Sequence, residues 1–233
     1  MDAIAANLEE IRRRMAEAAR RSGRDPASVR LVAVSKTYPA EAVAAAATTG
    51  QRVFGESRVQ ESRDKIPACP PGLEWHFIGH LQKNKVRQAL PLFGFFHSID
   101  STALAQAIDR IAGETDRPVE GLLEVNVSGE ATKYGFTPEQ LRAEFAALSK
   151  LQHLRIRGLM TMAPYSENPE EARPVFRALR ELRDELQSAH GHPLPELSMG
   201  MSGDFEPAVE EGATLVRVGS SIFGARQRPN EEQ

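Results

Sequence analysis

An alternation constrains this chain more than any single motif: eight short apolar runs, each followed by a helical segment or the remnant of one. Strands are expected at Leu31–Lys36, Arg52–Glu56, Glu74–Gly79, Phe95–Ile99, Val119–Val127, Ile156–Met162, Glu196–Met199 and Thr214–Val218. Helices are expected at Pro39–Thr49, Val59–Lys65, Asn84–Leu90, Ala103–Ala112, Pro138–Leu151, Pro169–Ala189 and Phe205–Glu211. Strands that alternate with helices predict a parallel sheet with the helices outside it. Eight such units predict one closed (β/α)8 barrel of the TIM type, compact at 233 residues. An open doubly wound sheet is the alternative. Its glycine-rich first turn is missing, because Lys36-Thr37-Tyr38-Pro39 follows the first strand instead.

Residues 1–22 add a helix ahead of the barrel. Ile4, Leu8, Ile11 and Met15 recur at three- and four-residue spacing, which gives that helix one apolar face to pack on the domain. Arg12-Arg13-Arg14 reads as charge on its solvated side, and Ser22-Gly23 ends it. The expected organisation is a single domain over residues 1–233.

Composition excludes several function classes. A formal net charge of −3 argues against a general nucleic-acid or membrane-surface binder. Cys69 is the only cysteine, which leaves no internal disulfide and no thiolate metal site. The N-terminus carries no charged segment followed by an apolar one, and no apolar run approaches the ~20 residues of a membrane span. A cytoplasmic protein is expected. The six histidines offer no metal pair: His76 and His80 are four apart, but Gly79-His80 leaves the strand, so helical spacing does not apply.

In such a barrel the strand C-termini face one mouth, where sites are built. There the sequence places Lys36, Glu56-Ser57, His80, Asp100, Asn126, Met160, Ser198 and Arg217 through Ser221. A lysine held against apolar surface loses stabilisation of its charge, and its neutral amine can form a Schiff base with a carbonyl. The bland reading is a solvated lysine that ends a strand. The loops after the last two strands contain Ser202 and then Gly219, Ser220 and Ser221, with glycines that allow close backbone approach. Barrels of this type often bind phosphate there. The competing reading makes Ser202 a helix cap and the glycines turn residues. Arg217 interrupts the apolar run Leu215-Val216-Arg217-Val218 and needs a buried partner: a ring nitrogen, an anion, or a carboxylate such as Glu56 or Glu124. An amine, a phosphate cradle and an arginine facing a heteroaromatic ring together describe pyridoxal 5′-phosphate (PLP).

The chain also resembles the pyridoxal phosphate homeostasis protein family, PLP-binding barrels related to the N-terminal domain of alanine racemase. The resemblance runs from Leu31 to Arg226. It is carried by Ala33-Val34-Ser35-Lys36, Phe54-Gly55-Glu56, Trp75 through Lys85, Lys133-Tyr134-Gly135-Phe136, Gly158 through Met162, Leu197 through Ser202 and Ile222-Phe223-Gly224. It implies that Lys36 holds PLP as a covalent internal aldimine and that Arg217 lies at the pyridine nitrogen. Ser202, Gly219, Ser220 and Ser221 would hold the phosphate, with Met160 and Ser198 lining the ring site. Ser57 stands where the family usually has an asparagine that approaches the cofactor. His80 lies near the mouth, within reach of cofactor or substrate.

Two readings of function follow, and they belong to different classes. The favoured one is a monomeric carrier that buffers PLP or delivers it to PLP-dependent apoenzymes, with no catalytic residue of its own. The other is a small PLP-dependent amino-acid racemase, which needs a second acid/base on the ring face opposite the lysine. Tyr38, Tyr134 and Tyr165 are the tyrosines placed in or near loops after strands. A PLP-free Schiff-base aldolase is weaker still, because it leaves the phosphate loops and Arg217 without a purpose.

Overall fold

The computed structural model describes residues 3–130 and 132–224. Residues 1, 2 and 225–233, including Arg226 at the end of the family resemblance, lie outside the described residues. Eight parallel strands close in sequential order into a barrel, and β1 seals against β8 through pairs such as Arg30↔Leu215 and Val32↔Arg217. The strands are β1 (Arg30–Val34), β2 (Val53–Glu56), β3 (Glu74–Phe77), β4 (Phe95–Ile99), β5 (Val119–Glu124), β6 (Leu154–Met160), β7 (Glu196–Ser198) and β8 (Leu215–Val218).

Outside them lie α2 (Ala40–Thr48), α3 (Val59–Lys65), α4 (Val86–Ala89), α5 (Thr102–Glu114), α6 (Pro138–Leu148), α7 (Arg173–His190) and α8 (Phe205–Glu210). An N-terminal α1 (Ala3–Arg21) precedes the barrel, and a short α9 (Ser220–Phe223) follows β8. The eight units expected from the sequence are present. Local chemistry sets where each begins. Thr137 caps α6 by accepting from Gln140 N while the Gln140 side chain accepts from Thr137 N, and Pro138 fills the first turn. Gly191 ends α7 in the left-handed conformation that glycine adopts without a Cβ penalty (φ +60°).

Two hydrophobic regions result. The larger lies between the barrel wall and the helices; the smaller fills the barrel with Val32, Phe95, Leu122, Met160 and Leu215, one residue from each of five strands. α1 buries Leu8, Ile11 and Met15, as its periodicity predicts. Its arginines are not simply solvated. Arg13 is, pairing with Glu10 and Glu17, but Arg14 binds Glu206 and covers the Phe205 ring at 4.8 Å. Arg12 donates to Thr49 O and Gln51 Oε1, both at 3.1 Å. Asn7 Nδ2 donates to Ile222 O at 2.9 Å, which ties α1 to α9 at the barrel mouth.

Candidate functional site

β1 stops at Val34, two residues before Lys36, so the lysine sits in a turn rather than on the strand. The turn is set by Thr37, which adopts a left-handed conformation (φ +70°) that a β-branched residue accepts only under constraint. Its N–H donates to Glu61 Oε1 at 2.8 Å. From α3, the Lys65 ammonium donates to Ser35 O and Tyr38 O, both at 2.9 Å, and closes the turn from behind.

Lys36 is half-buried and lines a cavity of about 330 Å³ at the mouth, within the range of small-ligand sites (about 300–1,000 Å³). Ser202, Arg217, Gly219 and Ser220 share that cavity with it. The apolar remainder comes from Val34 and Ile78 on one side and from Met162, Ala163 and Met201 on the other.

Arg217 is buried, and its guanidinium is fixed at two points: NH1 donates to Ser198 Oγ at 2.5 Å and NH2 to Thr161 O at 3.0 Å. Burial pulls its pKa down to about 10, opposed by the charges of Glu124 and Asp204, so it stays a cation at neutral pH. Among the carboxylates weighed as its partner, Glu56 is not available. Glu56 ends β2, with its Oε1 accepting from Ser35 Oγ at 2.7 Å and 2.8 Å from Lys65 Nζ. Glu124, at the end of β5, has its pKa raised to about 7 by burial and by the charge of Asp100, against the pull of Arg217.

The serines come together as a pair. Ser220 Oγ stands 3.3 Å from Ser202 Oγ, joining the loops after β7 and β8. Ser202 caps no helix: the N-cap of α8 is Asp204, which makes no side-chain cap bond and whose Oδ1 instead accepts from Met201 N at 2.6 Å. Gly219 precedes α9, where the amides of Ile222 and Phe223 donate to Gly219 O, which leaves those of Ser220 and Ser221 without an acceptor within the helix. A Cβ on Gly219 would lie 3.1 Å from Val34 O, so this backbone approaches β1 more closely than a side chain would comfortably permit. A primary amine, a fixed cation and a cradle of hydroxyls and first-turn amides around one cavity form a donor set that fits a phosphorylated aldehyde with a ring nitrogen.

The remaining expected site residues fall elsewhere. Ser221 lies on α9 without lining the cavity. Met160 and Ser198 are buried in the barrel wall and also do not line it. Ser57 and His80 line a second pocket between the loops after β2 and β3. His80 Nδ1 bonds Asp100 Oδ2 at 2.9 Å, and its ring stacks on Tyr134 at 4.1 Å. Of the three tyrosines, Tyr38 donates to Gly224 O at 2.6 Å, Tyr134 stacks on His80, and Tyr165 is exposed at the lip of the main cavity.

Thr161, His97 and Lys65 shape the site and were not singled out from sequence as site residues, while Glu124 was named only as a carboxylate for Arg217. His97 and Glu124 had a signal, since each is a polar residue inside or ending an apolar strand. Among the described residues no group of three His, Cys, Asp or Glu side chains could hold a metal ion, and no helix is long and apolar enough to cross a membrane.

A closed parallel barrel with this mouth defines a fold class, and the family model for the alanine racemase N-terminal domain matches residues 1–227. Within that class the similarity narrows. The pyridoxal phosphate homeostasis protein of Aquifex aeolicus is 46% identical over 94% of this chain and 97% of its own length. That of Pseudomonas aeruginosa is 44% identical over 97% of each. The solved structure of PipY from Synechococcus elongatus with PLP bound superposes with a TM-score of 0.84 at 43% identity, covering 95% of this chain and all of that one. The chain belongs to the pyridoxal phosphate homeostasis protein family.

Proposed function

We propose that this protein binds PLP at the barrel mouth, as a Schiff base on Lys36, and serves PLP homeostasis in the cytoplasm by buffering the cofactor or delivering it to PLP-dependent apoenzymes. The observation that carries the reading is that Lys36, Arg217 and the Ser202–Ser220 pair line one cavity. Family membership and the PLP held by PipY support the choice of ligand.

In this reading Arg217 meets the pyridine nitrogen, while Ser202, Gly219, Ser220 and the Ser221 amide hold the phosphate. Met160 and Ser198 act from the wall behind the ring, and Ser57 and His80 from the neighbouring pocket at the same mouth. When bound, PLP supplies an electrophilic carbon and an electron-withdrawing ring. A guanidinium can donate to the ring nitrogen but has no proton to give up at neutral pH, so it leaves that nitrogen unprotonated and the ring a weaker electron sink. That favours holding the cofactor over driving carbanion chemistry. The protein acts as a monomer without robust turnover.

The test is the absorbance spectrum of the protein with PLP, beside Lys36→Ala, before and after borohydride. A band near roughly 420 nm, fixed by reduction onto Lys36 and missing from the variant, is expected. Absence of the band after PLP is added would sink the reading. Deuterium exchange at Cα of an amino acid, abolished by Tyr165→Phe, would turn the assignment to the racemase.

A further inference from the structure

Five side chains form one hydrogen-bonded line through the inside of the barrel, from the mouth to the opposite end. Arg217 NH1 meets Ser198 Oγ at 2.5 Å, and Ser198 Oγ meets His97 Nδ1 at 2.8 Å. His97 Nε2 meets His76 Nδ1 at 2.8 Å, and His76 Nε2 meets Glu74 Oε1 at 2.6 Å. The line passes through β8, β7, β4 and β3, and Ser198, His97 and His76 are fully buried. Glu74 opens β3 at the far face, with its side chain 49% exposed. Phe95 flanks both rings, stacked on His76 at 4.7 Å and edge-on to His97 at 5.2 Å.

With both imidazoles neutral, the carboxylate end sets the direction of every bond back to Ser198, and the guanidinium can only add a donor to that hydroxyl. A guanidinium only donates, and an ionised carboxylate only accepts. Glu74 is ionised at neutral pH, since its bond to His76 lowers its pKa. His76 Nε2–H therefore donates to Glu74, and a neutral His76 keeps Nδ1 as an acceptor. His97 Nε2–H donates to it, which leaves His97 Nδ1 to accept the Ser198 hydroxyl proton. Ser198 Oγ then accepts from Arg217. All four bonds point from mouth to far face.

A proton added to His76 Nδ1 would face the His97 N–H donor unless His97 moved its own proton to Nδ1, which would reverse its bond with Ser198. One added to His97 Nδ1 would displace the Ser198 proton. Burial pushes both imidazoles below their ordinary pKa. His97 is pushed further by the charges of His76, Arg217 and Arg30, while at His76 the carboxylates of Glu74 and Glu196 pull upward and Arg30 pushes down.

We propose that Ser198, His97, His76 and Glu74 are positioning residues for Arg217, a one-way relay whose polarity is set at the far face and which holds the donors of the guanidinium in place at the mouth. The proposal rests on the reading above only for what Arg217 addresses: a ring nitrogen placed there must be the acceptor, hence unprotonated. The guanidinium plane cannot turn away, because NH1 is held by the relay and NH2 by Thr161 O.

The test uses 15N NMR of the histidine rings in the protein without added PLP, beside Glu74→Ala and His97→Gln. His76 and His97 are expected as single neutral Nε2–H tautomers at about pH 7. Glu74 is half-exposed, so its removal spares the barrel, yet it should mix the tautomers of His97, which Glu74 does not touch. PLP affinity of Glu74→Ala should fall about fivefold, the order of one hydrogen bond's net worth. His97→Gln, whose amide can both donate and accept, should retain more affinity than His97→Phe. A His97 signal that is protonated, or that does not respond to Glu74→Ala, overturns the relay. A tautomer response in a protein that binds no PLP would uphold the relay and overturn the cofactor reading instead.

Discussion

Lys65 Nζ stands 2.8 Å from Glu56 Oε1, in a buried gap between α3 and β2, and the same ammonium bonds the carbonyls on both sides of Lys36. The lysine proposed for chemistry is thus presented by a second lysine that never reaches the cavity. Glu61 completes the clamp, 3.0 Å from Lys65 Nζ and bonded to Thr37 N. Burial pushes the Glu56 carboxyl up, against the bonds from Lys65 and Ser35 that hold it down, and among the described residues nothing hydrogen-bonds its buried Oε2.

Removing Lys65 therefore does two things. Lys65→Met leaves the Glu56 carboxylate buried beside an apolar chain, and breaking a buried pair from one side costs about 3–5 kcal/mol. Urea unfolding should show that loss, and Lys65→Met with Glu56→Leu should lose less than the two single changes added together. If the two losses simply add, the pair is not coupled and the clamp is only a set of independent contacts.

Glu124 predicts a pH dependence of opposite sign to most carboxylates. Its folded pKa of about 7 lies above the ordinary 4.5, so the folded state holds its proton more tightly than the unfolded chain does. The stability this gives is complete below about pH 4.5 and is lost as pH rises through 7. At about 1.4 kcal/mol per pKa unit, the whole window is worth about 3 kcal/mol. Glu124→Gln removes the titration. Its stability relative to the parent should rise by up to that amount between about pH 4 and pH 8; a difference that stays flat with pH would show that the carboxyl titrates normally.

Histidines 76 and 97 work in the other direction. Both folded pKa values lie below the unfolded value of 6.5, so the unfolded chain takes up protons first as pH falls. The stability they give is present above about pH 6.5 and is lost below it. His97→Gln should flatten the acid limb of the stability profile, measured as Tm from about pH 7 down to pH 5. An unchanged acid limb would mean that the rings can take a proton without breaking the line through the barrel.

Much of this was legible in the sequence because burial on both faces makes parallel strands short and apolar. What blurred was their ends. Leu31–Lys36 closes early at Val34 because Thr37 turns left-handed, and Val119–Val127 closes at Glu124 because Asn126 Oδ1 accepts from Gly129 N at 3.0 Å and starts a turn. Arg217 stood out as a charge in an apolar strand, and the same rule applies to His97 and Glu124. Glu124 was within reach of the sequence as a carboxylate for Arg217, but the line from Arg217 through Ser198 to His97 and His76 was not legible, since β3, β4, β7 and β8 meet across the interior only when the barrel closes. Lys65 left no trace at all: four residues after Glu61, it reads as an ordinary solvated helix pair, while its ammonium is in fact buried against β2.

Two glycines separate the fold from the site. A Cβ on Gly158 in β6 would fall 1.8 Å from Glu196 O on the neighbouring β7, a backbone atom that cannot yield without parting the strands. Gly158→Ala should therefore cost stability at the upper end for single substitutions, roughly 3 kcal/mol or more, wherever the ligand stands. At Gly219 the added methyl would meet Val34 O at 3.1 Å and Val34 Cβ at 3.3 Å, a crowding that a shift of a few tenths of an ångström relieves. That shift moves the backbone that opens α9, so Gly219→Ala should unfold near the parent midpoint while its PLP affinity falls about tenfold. Equilibrium unfolding and PLP titration of the two variants check this directly. If Gly219→Ala binds PLP as the parent does, the loop after β8 does not hold the phosphate.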